Sequence, residues 1–315
     1  MKTFKRYFSL LLVSVFLSAC FSQPEPPMRL GTNVWPGYEP LYLARSMGMY
    51  PDDLVRLVEY PSASEVLRAF RNKTLEAASL TLDEVLLLRQ DNIPVKVVLV
   101  HDISAGGDVI IARSGIDSMK QLRGKRVGVE GNALGALVLT RALEKHGMSI
   151  KDVEPVSADV NTHEALFAGG KVDAVETFDP VKTKLLKAGG REVFSSLEIP
   201  NEIVDVLVVH VDYLQKNEAR VKKITQGWFD AIEQLKSNPE ESAKIMSARL
   251  DVTPMEVLGS YDGLHIPGRD ENRRLLDDGS GSLRKTIEHL HRVLRENDLI
   301  QSGVSTKSLI TAKYL

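Results

Sequence analysis

What most constrains this chain is an alternation, sustained from Met28 to Val211, of short β-branched runs with segments of helical periodicity. Arg29 to Val34, Val55 to Tyr60, Glu76 to Leu80 and Val95 to His101 read as strands. Between them, Leu41 to Met47, Ala63 to Arg71 and Asp83 to Gln90 repeat their apolar residues every three or four positions and read as helices. Strand, helix, strand is the unit of an α/β fold with a largely parallel sheet, whose helices cover the faces and whose post-strand loops open at one edge.

A second block repeats the theme. Strands are expected at Asp108 to Ala112, Arg126 to Glu130, Glu154 to Ser157, Val172 to Phe178 and Glu192 to Phe194; helices at Ser118 to Arg123, Leu134 to His146, His163 to Ala168 and Val181 to Ala188. Two polar segments flank this block, HDISAGGD from His101 and SSLEIPNEIV from Ser195, and both carry Gly or Pro. They read as crossings into and out of an inserted second domain, with two connecting strands as a hinge. The buried run Ile203 to Val211 leads back, and Leu214 to Leu250 is almost continuously helical, interrupted at Asn238-Pro239. The expected division is residues 29–103 with 204–315 in lobe 1 and 104–203 in lobe 2. At 315 residues the chain is long enough for both.

The N-terminus is a processing signal. Lys2, Lys5 and Arg6 precede an apolar run from Tyr7 to Leu17, too short to cross about 30 Å of hydrocarbon as a helix. Residues 1–19 are therefore expected to be a signal peptide. Leu17-Ser18-Ala19-Cys20 resembles the bacterial lipobox, which implies that Cys20, the only cysteine, is lipidated and that residues 20–28 form a Pro-rich tether. The expected location is extracytoplasmic, anchored to a bacterial membrane by lipid.

A formal charge of −2 gives no footprint for nucleic acid. Enzyme signatures are absent as well. His163-Glu164 lacks the second histidine of H-E-x-x-H, His289 and His291 point to different faces of a helix, and His210 sits in an apolar run as a core histidine. There is no G-x-S-x-G elbow and no paired metal-ligand cluster, so catalytic residues, metal ligands and cofactors are all expected to be none.

Binding chemistry is concentrated in the loops after strands. Trp35-Pro36-Gly37-Tyr38 offers rings beside a turn that is expected to be exposed. Thr81 and Asp83 sit where a strand becomes a helix and serve either as caps or as ligand contacts. Gly131-Asn132-Ala133 repeats that geometry, with Asn132 capping a helix whose amides face the cleft; its glycines do not match G-x-G-x-x-G, and a purely structural turn is the alternative. Glu176 and Asp179 close another strand, either to meet a donor on the ligand or, for Asp179, to cap the next helix. Glu39, Asp83, Asp108, Glu130, Glu176 and Asp179 all lie in or beside such loops, while Arg113 is the only basic residue near them. That balance opposes an anion and points to a neutral or cationic polar ligand, a pyrimidine or an amine.

The lipobox, the Trp35-x-Gly37-Tyr38 turn with Ala44 and Gly48 beyond it, LEAASLTLDEVL from Leu75, LRGKRVGVEGNALGALVL from Leu122 and GGKVDAVETFDP from Gly169 together resemble the periplasmic solute-binding proteins of ABC importers. The resemblance is to the branch that binds nitrate, alkanesulfonates, taurine and thiamine-precursor pyrimidines. It implies a two-lobed, type II periplasmic-binding-protein-like fold with two hinge crossings and a helical C-terminal region on lobe 1. It also implies capture of a small molecule by hinge closure, with Trp35, Tyr38, Thr81, Asp83, Asp108, Asn132, Ala133, Glu176 and Asp179 as the expected ligand contacts. The implied partner is an ABC permease; the alternative is a membrane sensor to which the protein reports occupancy.

Overall fold

The computed structural model describes residues 25–51, 53–279, 281–301 and 303–315. The expected signal peptide, Cys20 and the first part of the tether lie outside the described residues.

Eleven strands form two sheets among the described residues. The first contains β1 (Met28–Thr32), β2 (Val55–Glu59), β3 (Ala77–Thr81), β4 (Val95–Ser104), β10 (Val204–His210) and β11 (Leu264–His265), in the order β11-β4-β10-β3-β1-β2. The second contains β5 (Val109–Ala112), β6 (Arg126–Val129), β7 (Glu154–Ser157), β8 (Ala174–Thr177) and β9 (Arg191–Ser195), in the order β7-β6-β8-β5-β9. Neither sheet is wholly parallel. β10 runs antiparallel to both β3 and β4, and β5 antiparallel to both β8 and β9. In each sheet one reversed strand, β10 or β5, is the one that has just crossed from the other; the short edge strand β11 is also antiparallel to β4. A chain leaving one sheet at the cleft edge enters the next at the facing edge, so it runs against strands that point toward the cleft.

The helices are α1 (Glu39–Ser46), α2 (Ala63–Arg71), α3 (Leu82–Gln90), α4 (Ala133–Lys145), α5 (His163–Ala168), α6 (Val181–Lys187), α7 (Val211–Lys216), α8 (Glu218–Ser237), α9 (Pro239–Leu250), α10 (Pro254–Ser260), α11 (Arg269–Leu275) and α12 (Ser282–Glu296). The segment expected to be helical from Ser118 to Arg123 is one 3₁₀ turn, Met119–Leu122. The long C-terminal helix breaks at Asn217 as well as at Asn238, with Pro239 opening α9. Alternation along β10 builds a two-sided core. Val206 and Val208 pack with Phe70, Leu86 and Leu290 on one face, and Leu207 and Val209 pack with Leu41, Ile224 and Trp228 on the other. His210 is a core residue: it stacks on Phe70 with centroids 4.0 Å apart, its Nε2 3.2 Å from the Phe70 carbonyl.

The free edge of β4 is covered piecewise. β11 pairs with Ile103 and Ser104, the C-terminal segment bonds Val97, and between them the buried Asn272 side chain imitates a strand. Its Oδ1 accepts from Val100 N at 2.7 Å and its Nδ2 donates to Val100 O at 3.1 Å.

The two crossings lie side by side. Ser104 Oγ and Ser196 Oγ are 2.8 Å apart, and the Gly106 amide donates to Ser196 Oγ at 2.7 Å. A third strand of backbone joins them, with Ala105 N donating to Gly263 O at 2.8 Å. A Cβ on Gly263 would lie 2.7 Å from Gly107 N, so only glycine permits this approach.

Candidate functional site

The lobes meet over a small cavity of about 20 Å³, enclosed by the ends of β1, β3, β4 and β10 on one side and of β6 and β8 on the other. Its aromatic wall comes from both lobes: Trp35 and Phe178 touch edge to face with centroids 5.1 Å apart at 88°. The turn Pro36–Tyr38 is buried, not exposed as its sequence suggests, because Asp102, Asp205 and Tyr261 of its own lobe pack against it and Val160 and Phe178 of the second lobe complete the cover. Trp35 Nε1 donates to Asp102 Oδ2 at 3.1 Å, and the Tyr38 hydroxyl donates to Asp205. Gly37 makes the first bond possible, since a Cβ there would sit 1.9 Å from Asp102 Oδ2 and 2.3 Å from Trp35 Nε1.

Around this wall stand seven buried carboxyl groups: Asp83, Glu84, Asp102, Asp108, Glu130, Glu176 and Asp205. Four are partly satisfied by hydrogen bonds. Glu84 accepts from Thr81 N at 3.2 Å and, across the cleft, from Asn132 Nδ2 at 3.0 Å; Glu130 accepts from both Ser64 N and Ser64 Oγ at 3.0 Å. Asp102 and Asp205 receive the two bonds from the aromatic turn. Among the described residues, both carboxylate oxygens of Asp83, together with Asp102 Oδ1, Asp108 Oδ2 and Glu176 Oε1, are buried with no hydrogen-bond partner. The neighbouring Lys182 directs its ammonium to Gly106 O at 2.8 Å and to Glu192 at 3.7 Å instead.

Burial dominates the electrostatics. Desolvation lifts Asp108 from the ordinary aspartate range to about 6, and lifts Glu176 well above the ordinary range with a further push from Asp108 and Glu130. Asp102 and Glu84 are raised to about 8 by the same cause, and Asp205 is raised well above its ordinary value with Asp102 adding to it. Glu39 is also raised by burial, but it has a counter-charge that opposes the shift. It is equally buried, and Arg249 covers it, with Nε 2.9 and 3.0 Å from its two oxygens while the guanidinium lies 3.5 Å over the Tyr42 ring. The protein neutralises one buried acid with an arginine and leaves the cleft acids without one.

Of the residues singled out from sequence, Trp35, Tyr38, Thr81 and Asp108 line the cavity. Asp83 is buried in the first turn of α3, and Glu176 lies behind the wall on β8. Asn132 caps α4, its Oδ1 accepting from Gly135 N at 2.9 Å, and uses its other end to reach Glu84; Ala133 is buried at the start of that helix. Asp179 turns away from the cavity, because its Oδ1 caps α6 through Thr183 N at 3.0 Å and Thr183 Oγ1 at 2.6 Å; it borders a separate crevice beside Pro36. Sequence reasoning passed over Asn33, Glu84, Asp205 and Phe178 on the wall and Asp102 behind it. Two of these carried a readable signal. Thr81-x-x-Glu84 has capping-box spacing, and Asp205 is a lone acid inside an apolar strand.

Two α/β lobes joined by paired crossings and closed over a polar cavity define the class, that of the solute-binding proteins of ABC importers. A solved structure with the same architecture is the alkanesulfonate-binding protein SsuA from Xanthomonas axonopodis pv. citri bound to MOPS, at a TM-score of 0.73 and 16% identity over 93% of this chain and 99% of that one. The chain belongs to the family described as NMT1/THI5 like, whose model matches residues 35–242. A relative from Escherichia coli (strain K12), named for aliphatic-sulfonate binding, is 25% identical over 258 residues, 80% of each chain. The fold also carries catalysis elsewhere: the desulfurization enzyme DSZB superposes at a TM-score of 0.65 with 17% identity, covering 92% of this chain and 97% of that one.

Proposed function

We propose that the protein captures a small organic cation, an amine or a protonated aminopyrimidine, and delivers it to an ABC permease. The observation that carries this reading is the set of buried, unpartnered carboxylate oxygens on Asp102, Asp108 and Glu176 around an aromatic-walled cavity. A buried carboxylate without a counter-charge costs several kcal/mol, and a ligand ammonium or amidinium supplies that counter-charge together with hydrogen-bond donors. Trp35, Tyr38 and Phe178 add ring faces and edges suited to a cation or a heterocycle, worth about 0.5 to 2 kcal/mol. Among the described residues no three acidic or histidine side chains converge as a metal site, which favours an organic cation over a bare divalent ion.

Capture proceeds by hinge closure. The lobes, taken as residues 29–103 with 204–315 and residues 104–203, swing about the serine-lined crossings, and ligand held on one lobe recruits the other. Glu130 to Ser64 and Asn132 to Glu84 are the contacts that report closure. The proposed location is extracytoplasmic, with Cys20 as the site of lipid attachment.

Titration calorimetry at pH 8 tests the reading with a panel of primary amines, guanidines and aminopyrimidines set against taurine, alkanesulfonates and nitrate. Micromolar binding of a cation, equivalent to about −8 kcal/mol, is the expected outcome. Sub-micromolar binding of a sulfonate without binding of any cation would overturn it.

A further inference from the structure

We infer that Glu130 is a tethered anion that sets the charge selectivity of the cleft: from the second lobe it occupies the amino end of α2 in the first lobe, a seat that would otherwise accept an anionic ligand. The inference rests on the cation reading of the cleft and adds to it the residue that excludes anions.

The amino end of a helix gathers unpaired N–H groups and the positive end of the helix dipole, so a carboxylate or sulfonate is stabilised there. In α2 that end faces the cleft. Ser62 caps it from within, accepting from Glu65 N at 3.4 Å, and the outward donors at Ser64 are both taken by Glu130 Oε1 at 3.0 Å. Glu130 is only 4% exposed, so its carboxylate fills the seat rather than leaning over it.

The turn that presents Glu130 is built for the purpose. A Cβ on Gly135 would lie 2.4 Å from Glu130 O and 3.1 Å from Glu130 N, so glycine is needed there to let the helix start this close to the turn. Asn132 fixes the same turn by capping α4 and bonding Glu84 across the cleft. Glu176 is buried behind the wall with Oε1 unpartnered, and the charge of Glu130 helps hold its carboxyl well above the ordinary range.

Truncating the tether therefore exchanges one selectivity for another. Glu130→Ala empties the seat and removes the negative charge, and is expected to bind methanesulfonate and taurine at least tenfold more tightly than the wild type while losing at least tenfold in affinity for the cation. Glu130→Gln keeps the seat filled by a side chain of the same length and is expected to gain no anion affinity. Glu130→Ala with Ser64→Ala removes one of the freed donors and is expected to return several-fold of the anion gain. Thermal melts of each variant confirm that the protein titrated is folded. A folded Glu130→Ala with no gain for either sulfonate overturns the inference, as does an equal gain in Glu130→Gln, which would make the effect one of net charge alone. Wild-type binding in the same panel keeps the two readings apart: sulfonates bound and cations refused defeats the cation reading itself, whereas cations bound with no gain in Glu130→Ala defeats only the role of Glu130.

Discussion

Replacing Asp108 with Asn separates a carboxylate kept for a ligand from one kept for the fold. Asp108 is 1% exposed, has an unpartnered Oδ2, and titrates at about 6 because of burial. A carboxyl group whose folded pKa lies above its unfolded value favours the neutral form in the folded state. Its contribution to stability is fully present below the unfolded pKa, near 4, and is lost as pH rises through about 6. Above that window the ionised group penalises the empty protein by about 3 kcal/mol, which Asn does not incur. Burying the Asn amide returns about 1 kcal/mol of cost, leaving a net gain of about 2 kcal/mol, or roughly 4 to 8 °C in melting temperature. Calorimetric melts of wild type and Asp108→Asn at pH 4.5 and pH 8 should show little difference at the lower pH and a more stable variant at the higher. The same variant should bind the cation at least tenfold more weakly. A variant less stable than wild type at pH 8, or a difference that does not change with pH, would show that the carboxylate serves the fold and would refute the reasoning.

Trp35→Ala removes the aromatic edge against Phe178 and, among the described residues, the hydrogen bond to the Asp102 carboxylate; cation affinity measured by calorimetry should fall tenfold or more while the far-ultraviolet circular dichroism stays that of the native fold. Cation binding should release protons, because it favours ionised Asp108, Asp102 and Glu84, which titrate at about 6, 8 and 8 in the empty cleft. Binding enthalpies at pH 7 in buffers of different ionisation heat should therefore differ, and affinity should rise between pH 6 and 8; enthalpies independent of buffer would count against these protonated acids. Asn272→Ala leaves Val100 N and O without partners in a buried strand edge. It should destabilise the protein by about 2 to 4 kcal/mol in a denaturant titration without altering ligand selectivity.

The architecture was legible because each strand and helix announces itself locally. Buried β-branched runs, helical periodicity, and the polar Gly- or Pro-bearing segments at His101 and Ser195 mark elements and crossings before any tertiary contact is known. The reversed strands were not legible, since β10 and β5 read like any other apolar run and their direction follows only from where the chain re-enters a sheet. The site was legible only in part. Trp35, Tyr38, Thr81 and Asp108 declare themselves at strand ends, but Asp205 points into the cavity from within a strand and Glu84 was hidden by its capping role. For Asp179 the sequence left ligand contact and capping of the next helix both open, and the bond to Thr183 selects the cap.

The backbone of this fold brings several helix amino ends to the cleft, and by itself that arrangement suits an anion. In this chain those ends are occupied from inside: Glu84 on Thr81 N, Glu130 on Ser64 and the Asn132 side chain on Gly135 N. Once the donors are consumed, what remains at the cavity and behind its wall is acceptor chemistry, Asp108 on the wall with Asp102 and Glu176 behind it, and among the described residues no guanidinium like that of Arg249 covers them. The sign of a cleft of this kind is thus decided by a few side chains at helix termini, each within one substitution of the opposite choice. Similarity of fold to a sulfonate-binding protein therefore leaves the charge of the ligand open, and the carboxylates of this cleft favour a cation.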